Sequence, residues 1–338
     1  MVGSTFGVRA KISTGVGVFA GQVFYAGHMI QAQQLTKKYG AKTVVDNVSF
    51  TVQPGMVTGF LGPNGAGKST TMRMIVGLAK PTAGQVAVNG NNFRSSKHPL
   101  TEVGALLEAK SVHKSLTART HLRAMAATGG IPRSRVDEAL ELTGLSQLNR
   151  KKVGGFSLGM GQRLGIASAL LGDPQVLILD EPVNGLDPEG VAWVRNLARQ
   201  QAAEGKTVFI SSHLMSEMAQ TADHLIVIGR GRILADAPIS EFIDDGLRQT
   251  IVRSSNLDPL MTVLAAEGVQ LTRLDSTTLR VAGPDSESIG RRALESGIVL
   301  SELRPLQRTL EDAYMELTRD EVEYRSQVQH DAVAGGTH

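Results

Sequence analysis

The chain has 338 residues, 41% of them hydrophobic, which favours two domains with buried cores and excludes a disordered protein. Its 35 Lys and Arg residues and 32 Asp and Glu residues leave a formal charge of +3, which is too small to indicate a clustered nucleic-acid surface. The absence of cysteine excludes disulfides, thiolate metal sites and cysteine nucleophiles, and no apolar run reaches the roughly 18 residues of a membrane-spanning helix.

Residues 1–28 precede the first regular pattern. The apolar, Gly-rich stretch Thr14–Gly27 follows Arg9 and Lys11, and it imitates the charged start and apolar core of a secretory leader. The chemistry predicted further along the chain belongs in the cytosol, which contradicts a leader. We therefore expect an irregular extension over 1–28, or a reading frame that starts at Met29.

The pattern from Ile30 to about residue 90 is that of strands separated by turns and one helix. Alternating apolar and polar residues predict half-buried strands, and a short apolar run leads into a Gly-rich loop and a helix that Pro81 ends. The predicted elements are strands over Ile30–Thr36, Val44–Val52, Met56–Leu61 and Gln85–Asn89, and a helix over Lys68–Ala79.

The middle of the chain is predicted to contain a helical subdomain over about residues 95–160, after which strands return. Helical periodicity covers Ala118–Thr128 and Ser134–Thr143, the second with Ser134 as its cap. The later strands are predicted over Val176–Leu179, Thr207–Ile210 and His224–Ile228. Strands that alternate with helices indicate a mostly parallel α/β sheet.

After about Asp244 the pattern predicts a small α+β domain over residues 244–319. Its strands are predicted over Thr250–Arg253, Gln270–Leu274, Thr278–Val281 and Ile298–Leu303, and its helices over Leu257–Glu267, Ser286–Ser296 and Thr309–Thr318. The order β-α-β-β-α-β, with a closing helix, predicts a ferredoxin-like arrangement. Residues 320–338 are predicted to form a flexible tail.

A phosphate-binding loop is predicted after the third strand. The segment that matches G-x-x-x-x-G-K-[ST] is Gly62-Pro63-Asn64-Gly65-Ala66-Gly67-Lys68-Ser69. Its glycines let backbone N–H groups approach phosphate oxygens, and the N-terminus of the following helix adds positive potential. Lys68 is expected to reach the β- and γ-phosphates, Ser69 to ligate Mg²⁺ and Thr70 to contact the α-phosphate. The alternative is a Gly-rich turn with an accidental Lys-Ser pair, which the flanking strand and helix disfavour.

The apolar strand Val176–Leu179 ends in two carboxylates, Asp180 and Glu181. The carboxyl ends of such buried strands lie at the edge where α/β sheets bind ligands. Asp180 is expected to hold Mg²⁺ through water beside Ser69, and Glu181 to orient and deprotonate the attacking water as a general base. The alternative is a solvated strand end, which the phosphate loop upstream disfavours.

Three further motifs resemble those of the ABC (ATP-binding cassette) ATPases and follow in that family's order, so that the resemblance covers about Ile30 to Ala235. The segment similar to the family's signature motif is Phe156-Ser157-Leu158-Gly159-Met160-Gly161-Gln162-Arg163. The segment similar to the D-loop is Asn184-Gly185-Leu186-Asp187-Pro188, and the one similar to the switch histidine is Ser211-Ser212-His213. The resemblance implies an α/β P-loop NTPase fold over residues 29–243, with a RecA-like core, an antiparallel β subdomain and the inserted helical subdomain, before the small C-terminal domain.

The family's residue roles are expected at the matching positions. Tyr39 would stack on adenine, and His213 would touch the γ-phosphate and the water; the alternatives are an ordinary strand-end tyrosine and a buried structural histidine. Ser157 and Gly159 would contact the γ-phosphate held by the opposite subunit, and Asp187 would tie the two subunits together. The resemblance thus implies ATP and Mg²⁺ as cofactors and a dimer of ATPase subunits, with a homodimer favoured.

The sequence departs from the family pattern at two places. Leu158 and Met160 replace the first Gly and the Gln of the usual signature, while Ser157 and Gly159 remain. Glu108 stands where the family usually has a Gln before the helical subdomain; its carboxylate would approach Mg²⁺ or the attacking water, unless it is a surface residue. With the ending Thr309-Leu310-Glu311-Asp312-Ala313-Tyr314, these features resemble exporters of the ABC-2 type, which include antibiotic-resistance and bacteriocin-immunity ATPases for bacitracin and lantibiotics.

The function implied by the resemblance is ATP hydrolysis at the cytoplasmic face of the cell membrane, where the chain would power a separate integral-membrane permease without a nucleic-acid partner. One alternative is a non-transport ABC ATPase of translation or DNA repair, but such proteins generally carry two cassettes or long coiled-coil insertions. A second is a nucleotide-gated regulatory module, against which Glu181 and His213 argue. An importer is a third.

Overall fold

The computed structural model describes residues 16–19, 22–25, 29–108, 112–148, 150–243, 249–266, 268–306 and 309–317. The chain divides into two compact units, Met1–Ala237 and Pro238–His338. This division falls a few residues before the predicted boundary at 243/244, because the short helix Ile239–Ile243 belongs to the second unit.

Strands and helices alternate along the first unit. Its described strands are β1 (Val16–Phe19), β2 (Gln22–Tyr25), β3 (Ile30–Tyr39), β4 (Lys42–Val52), β5 (Val57–Leu61), β6 (Ala83–Val88), β7 (Val103–Leu106), β8 (Val176–Asp180), β9 (Thr207–Ser212), β10 (His224–Gly229) and β11 (Arg232–Pro238). Its described α-helices are α1 (Lys68–Ile75), α2 (Pro99–Glu102), α3 (Ala118–Thr128), α4 (Ser134–Leu142), α5 (Leu158–Leu170), α6 (Pro188–Ala203) and α7 (Met215–Thr221).

A six-stranded sheet in the order β11-β10-β5-β9-β8-β7 forms the centre of the first unit. Its strands from β10 to β7 pair in parallel. β5, β8 and β9 are buried along nearly their whole length, which is typical of parallel strands covered on both faces and explains their unbroken apolar runs. The carboxyl ends of these three strands therefore lie side by side.

The antiparallel sheet β4-β3-β6 shares one apolar core with the central sheet and with α1. Ile30 from β3 and Met72 from α1 are fully buried in this core. Phe50, Phe60 and Phe209, one from each of β4, β5 and β9, pack with ring centroids between 5.1 and 5.9 Å apart. This packing holds both ends of the loop that joins β5 to α1.

The helices α3, α4 and α5 enclose a second apolar cluster, with Leu122, Leu140 and Leu164 fully buried in it. α5 also packs directly on β7 of the central sheet. The two elements approach so closely that a Cβ added at Gly104 would lie 2.0 Å from the carbonyl oxygen of Ala169. The helical layer is therefore attached to the sheet where only a glycine fits.

The predicted helical subdomain over residues 95–160 begins too early. Val103–Leu106 forms strand β7, which pairs in parallel with β8 from Val103 opposite Val176 to Leu106 opposite Leu179. A four-residue apolar run is too short to show either the helical or the strand period, so its place in the sheet is not visible in the sequence.

Two helix boundaries also differ from those predicted. α1 ends at Ile75 rather than Ala79, because Gly77 adopts the left-handed conformation that ends helices, with φ of 71°. Ser134, predicted to cap α4, lies inside the helix, and the capping position is Arg133, which makes no side-chain capping hydrogen bond. No helix in the ranges that the structure describes is long and apolar enough to cross a bilayer.

The second unit is an antiparallel sheet with helices. Its elements are α8 (Ile239–Ile243), β12 (Gln249–Arg253), α9 (Leu257–Leu264), β13 (Gln270–Arg273), β14 (Thr278–Ala282), α10 (Ser286–Glu295), β15 (Glu302–Leu306) and the helical residues 310–317. The sheet order is β13-β14-β12-β15, so the β-α-β-β-α-β order has the topology of a ferredoxin-like sheet. Val252, Leu260 and Ile289 lie in its core.

The last strand of this unit is Glu302–Leu306 rather than the predicted Ile298–Leu303. Ile298 and Leu300 pack against the core from the connection before β15. They are apolar because they cover the core, and not because they alternate along a strand.

The N-terminal segment 1–28, predicted to be irregular, contains a hairpin in which β1 pairs antiparallel with β2 from Val16 opposite Tyr25. The prediction is wrong for these strands, because their β-branched and aromatic residues favour extended structure. The rest of residues 1–28 lies outside the described residues, as does the predicted tail over 320–338.

We expect Phe209→Ala to lower the free energy of unfolding of the first unit by about 3–5 kcal/mol, because it removes the ring that touches both other phenylalanines and leaves a cavity. Phe209→Leu should cost less, since it fills part of that space. The single tryptophan of the chain, Trp193, lies in this unit, so its fluorescence during urea unfolding measures the effect. A loss below about 1 kcal/mol for the alanine variant would contradict this packing.

Candidate functional site

The loop over residues 62–67 presents backbone N–H groups at the start of α1. Gly67 precedes the helix with φ of 111°, a left-handed conformation that glycine adopts without strain. A Cβ at this position would also lie 2.9 Å from the carbonyl oxygen of Val44. Since glycine has no side chain to cap the helix, the first N–H groups of α1 and its positive end remain for an anion.

The ammonium group of Lys68 is buried inside this loop, with its side chain 6% exposed. Its Nζ donates a hydrogen bond to the carbonyl oxygen of Gly62 at 2.6 Å and lies 3.3 Å from Glu181 Oε1. Burying a charge costs free energy unless the charge is paired, so Lys68 and Glu181 depend on each other in this protomer.

A cavity of about 170 Å³ lies over the loop, and we call it the phosphate cavity after its predicted ligand. Its lining residues are Val44, Pro63, Asn64, Gly65, Gly67, Lys68, Ser69, Thr70 and Glu181. The structure thus brings together most of the loop residues predicted to bind phosphate. Gly62 and Ala66 are buried beside the cavity instead, where the Ala66 N–H donates to the carbonyl oxygen of Pro63 at 3.1 Å and helps close the loop.

Glu181 and His213 face each other at the ends of neighbouring strands. His213 Nδ1 donates to Glu181 Oε2 at 2.7 Å. Glu181 Oε1 is buried and receives no hydrogen bond from any residue that the structure describes. The Glu181 backbone has φ of 49°, a strained conformation for a residue other than glycine, of the kind found at functional sites. One carboxylate oxygen is therefore oriented by His213, and the other is ion-paired with the Lys68 ammonium at 3.3 Å.

Ser211 on β9 connects Asp180 to Glu181. Its Oγ donates to Asp180 Oδ1 at 2.5 Å and accepts a hydrogen bond from the Glu181 backbone N–H at 2.9 Å. Asp180 and Ser211 are directly opposite each other in the β8–β9 pairing, which explains the contact. The hydroxyl thus orients both the acidic side chain and the backbone of the next residue.

Glu108 lies away from the phosphate cavity. Its side chain is 64% exposed, and Oε1 is 2.5 Å from Arg73 Nη2 on α1. Arg73 holds this carboxylate near the far end of the helix that Lys68 begins, and Glu108 does not line the phosphate cavity, so its approach to Mg²⁺ stays a prediction.

Tyr39, predicted to stack on adenine, lies at the end of β3 with 52% of its side chain exposed. The Nζ atom of Lys37 lies 4.9 Å from the centroid of its ring. An exposed ring at a strand end has room for a stacking partner, and it lines no part of the phosphate cavity.

Ser157, Gly159 and Asp187 also lie outside the phosphate cavity of their own protomer. Ser157 caps α5 by accepting a hydrogen bond from the Met160 N–H at 3.2 Å, and Asp187 caps α6 in the same way from the Gly190 N–H at 2.9 Å. Both side chains are exposed. This arrangement leaves them free of the Lys68 loop and able to reach another molecule.

Sequence reasoning missed three contributors to the site, namely Ser211, Arg73 and Gln162. Gln162 is buried and its Nε2 donates to the backbone carbonyl oxygen of Glu181 at 3.1 Å. Ser211 and Gln162 lie inside the motifs that indicated the family, so the sequence contained a signal for both residues. The contact between Arg73 and Glu108 has no such signal, because only the fold brings these residues together.

Comparisons with known proteins decide the family. A family model for the ABC transporter matches residues 45–184. The bacitracin transport ATP-binding protein BcrA of Enterococcus faecalis is 36% identical over 298 residues, which are 86% of this chain and 96% of that protein. The chain belongs to the ABC transporter family. A second model, for a domain of unknown function (DUF8746), matches residues 248–311 of this ABC protein.

Two further comparisons agree with this family. The BcrA protein of Bacillus licheniformis is 47% identical over 213 residues, which are 62% of this chain and 70% of that protein. A solved ATP-binding subunit of an ABC transporter is 27% identical with a TM-score of 0.59, over 63% of this chain and 91% of that one. The predicted ABC cassette fold, nucleotide binding and ATPase class are confirmed.

We expect Ser211→Ala to lower the kcat for ATP hydrolysis by roughly ten- to a hundredfold, the equivalent of the ~1.5–3 kcal/mol typical of a hydrogen bond to a charged group. The variant removes the donor to Asp180 and leaves the Glu181 N–H without its acceptor. Phosphate release under saturating ATP measures the effect.

The matched control is Ser212→Ala, since Ser212 is equally buried in β9 but accepts from the Leu214 N–H. Equal losses in the two variants would mean that burial in β9, and not the bridge to Asp180, determines the rate.

Proposed function

We propose that this chain is the ATP-hydrolysing subunit of an ABC exporter, in which two copies enclose two ATP molecules and drive a separate membrane permease. The observation that carries the proposal is the division of the site. The buried Lys68 and its ion-pair partner Glu181 line the phosphate cavity, and His213 binds Glu181 from outside that lining, while Ser157 and Asp187 lie exposed away from the cavity.

ATP binding begins at the Lys68 loop. The N–H groups at the start of α1 and the Lys68 ammonium would bind the β- and γ-phosphates, so that the ammonium exchanges the Gly62 carbonyl oxygen for phosphate oxygens. Thr70, in the cavity lining, would contact the α-phosphate. Tyr39 would stack on the adenine through its exposed ring face.

The residues present fit a magnesium ion. The Ser69 hydroxyl lines the cavity, and the Asp180 carboxylate keeps Oδ2 while Oδ1 accepts from Ser211. Hard oxygen donors of this kind suit Mg²⁺, which usually keeps several ligands from water and phosphate. When bound, the ion would neutralise phosphate charge.

Glu181 is the proposed general base for hydrolysis. Its buried Oε1 is ion-paired with the Lys68 ammonium, and once that ammonium binds phosphate oxygens this oxygen would accept a proton from the attacking water. The Nδ1–H group of His213 holds the other oxygen, which fixes the carboxylate for in-line attack on the γ-phosphate. His213 would also touch the γ-phosphate and so respond to its presence.

The second copy supplies the rest of the site. Ser157 and the Gly159 backbone would contact the γ-phosphate held by the opposite protomer, and Asp187 would contact that protomer across the interface. Binding ATP then favours the closed dimer, and loss of the γ-phosphate removes the bridge between the two copies. Two copies of this chain would supply all the residues named for both ATP sites, so we propose a homodimer.

An apolar groove offers a place for the permease. A cavity of about 580 Å³ lies between α1, β7 and the helical layer, and Leu78, Leu100 and Met125 are among its lining residues. Burial lowers the pKa of His121 in the same lining, which favours the uncharged ring. Such a groove suits a short amphipathic helix from a membrane subunit, which would hold this chain at the cytoplasmic face of the membrane.

Export is favoured over import by Glu108, by the altered signature and by the resemblance to bacitracin transport ATP-binding proteins. Isolation with an integral-membrane protein of about six apolar helices would support the proposal. Isolation with ribosomes would instead support the alternative of a translation ATPase.

We expect Glu181→Gln to lower kcat by about 10²–10⁴-fold, the usual contribution of a general base, while ATP binding persists. The variant should therefore accumulate as a dimer when ATP and Mg²⁺ are added, as seen by analytical ultracentrifugation. Turnover close to that of the unmodified chain would refute the assigned base. Absence of turnover in the unmodified chain would favour the regulatory module.

We expect Lys68→Ala to weaken ATP binding by roughly ten- to a hundredfold, because it removes a charge-assisted contact of about 1.5–3 kcal/mol. Isothermal titration with ATP and Mg²⁺ measures this affinity. Lys206→Ala is the matched control, since Lys206 is also a buried lysine but pairs with Asp173. An unchanged ATP affinity in Lys68→Ala would refute the assignment of this loop to the ATP-binding site.

A further inference from the structure

Trp193, the single tryptophan of the chain, is stacked against the signature helix. It lies half-buried on α6, and the guanidinium carbon of Arg163 on α5 lies 4.4 Å from the centroid of its ring. A cation over an indole ring is the strongest of the cation–π pairs in proteins. The contact joins the helix that Asp187 caps to the helix that Ser157 caps.

The same two side chains also hold the end of α4. Trp193 Nε1 donates to the carbonyl oxygen of Leu142 at 3.2 Å, and Arg163 Nη1 donates to that of Thr143 at 3.1 Å. The last carbonyl groups of a helix have no partner within it and favour a nearby cation. We call these two side chains, with the two carbonyl groups they bind, the Arg163–Trp193 clasp.

The clasp lies at matching positions on its two helices. Arg163 follows Ser157 along α5 by the same number of residues as Trp193 follows Asp187 along α6. A change in the angle between α5 and α6 would therefore change the distance between Ser157 and Asp187. Both are residues of the proposed contact between protomers.

A second set of contacts joins the first turn of α5 to the segment after Glu181. Gln162 Nε2 donates to the Glu181 carbonyl oxygen at 3.1 Å. A Cβ added at Gly185 would lie 2.1 Å from the Leu158 side chain, so the signature and the D-loop touch where only glycine fits. The contact between Leu158 and Gly185 lies at the start of the two helices, and Gln162 and the clasp hold α5 about one turn further along.

We propose that Trp193 is a positioning residue, and that the Arg163–Trp193 clasp fixes Ser157, Asp187 and the end of α4 as one rigid body during closure of the dimer. Trp193 itself is not among the residues that line the phosphate cavity. The inference rests on the proposed ATP-bound dimer, since a fixed spacing matters only if both residues meet the second copy together.

The parent for the test is the full-length protein that carries Glu181→Gln. Its ATP-driven dimerisation is measured by analytical ultracentrifugation with ATP and Mg²⁺. Trp193→Leu removes both the stacking and the N–H donor, and we expect about tenfold weaker dimerisation, because two such contacts together shift an equilibrium by that factor. Trp193→Phe keeps a ring under Arg163 and should recover part of the loss. ATP affinity at protein concentrations where the chain is monomeric should stay unchanged.

Arg195→Leu is the matched control. Arg195 is half-buried on the same helix but contacts Gln220 on α7, away from α4 and α5. The control should dimerise like the parent. Thermal melting monitored by circular dichroism identifies a variant that fails to fold. If Trp193→Leu fails to fold, dimerisation of Trp193→Phe is compared with that of the parent, and we expect Trp193→Phe to dimerise more weakly than the parent by less than about tenfold.

Several results would overturn the inference. Parent-like dimerisation in both Trp193 variants would refute the proposed role of the clasp and would leave the proposed function unaffected. An equal loss in Arg195→Leu, or an equal loss of monomer ATP affinity in the Trp193 variants, would reduce Trp193 to a structural residue. A red shift of parent Trp193 emission on adding ATP would show that the clasp opens. Failure of the parent itself to dimerise would overturn the proposed function, and the clasp with it.

Discussion

The buried ammonium of Lys68 is the charge around which the rest of the site is arranged. It is removed from water, with the carbonyl oxygens of Gly62 and Pro63 at 2.6 and 3.5 Å and the Glu181 carboxylate at 3.3 Å. A buried pair of this kind contributes little net stability, because desolvation offsets the attraction between the charges. It serves to keep both groups poised, since phosphate oxygens would satisfy the ammonium and free the carboxylate for a water molecule. The burial of Lys68 therefore causes both the desolvation cost and the readiness of the ammonium to bind phosphate.

The order of strands in the central sheet makes that pair possible. The Lys68 loop follows β5, His213 follows β9 and Glu181 follows β8, and these three strands are neighbours. Their carboxyl ends form the edge at which open α/β sheets bind ligands. Ser211 then connects β9 to β8 and sets the Asp180 side chain and the Glu181 backbone together. The strain at Glu181 is sustained because neighbouring elements hold the residue on every side.

The half of the site proposed to contact a second copy is built on α5 and α6. These helices are capped by Ser157 and Asp187, which extend outwards, and they are joined to the first half through the bond from Gln162 to the Glu181 carbonyl oxygen. Arg73, on the helix that Lys68 begins, binds Glu108 beside the groove proposed for the permease. Nucleotide, second copy and membrane subunit would thus meet a connected set of helices.

The sequence by itself determined the family, the phosphate loop and the acidic strand, because each is a contiguous motif whose chemistry depends on neighbouring residues in the chain. It also predicted the β-α-β-β-α-β order of the second unit. Only the tertiary structure decided that Val103–Leu106 joins the central sheet, that Arg73 binds Glu108, and that Ser211 bridges to Asp180. These contacts join residues some thirty or more positions apart, and no local pattern encodes such a distance; the packing of strands and helices alone brings them together.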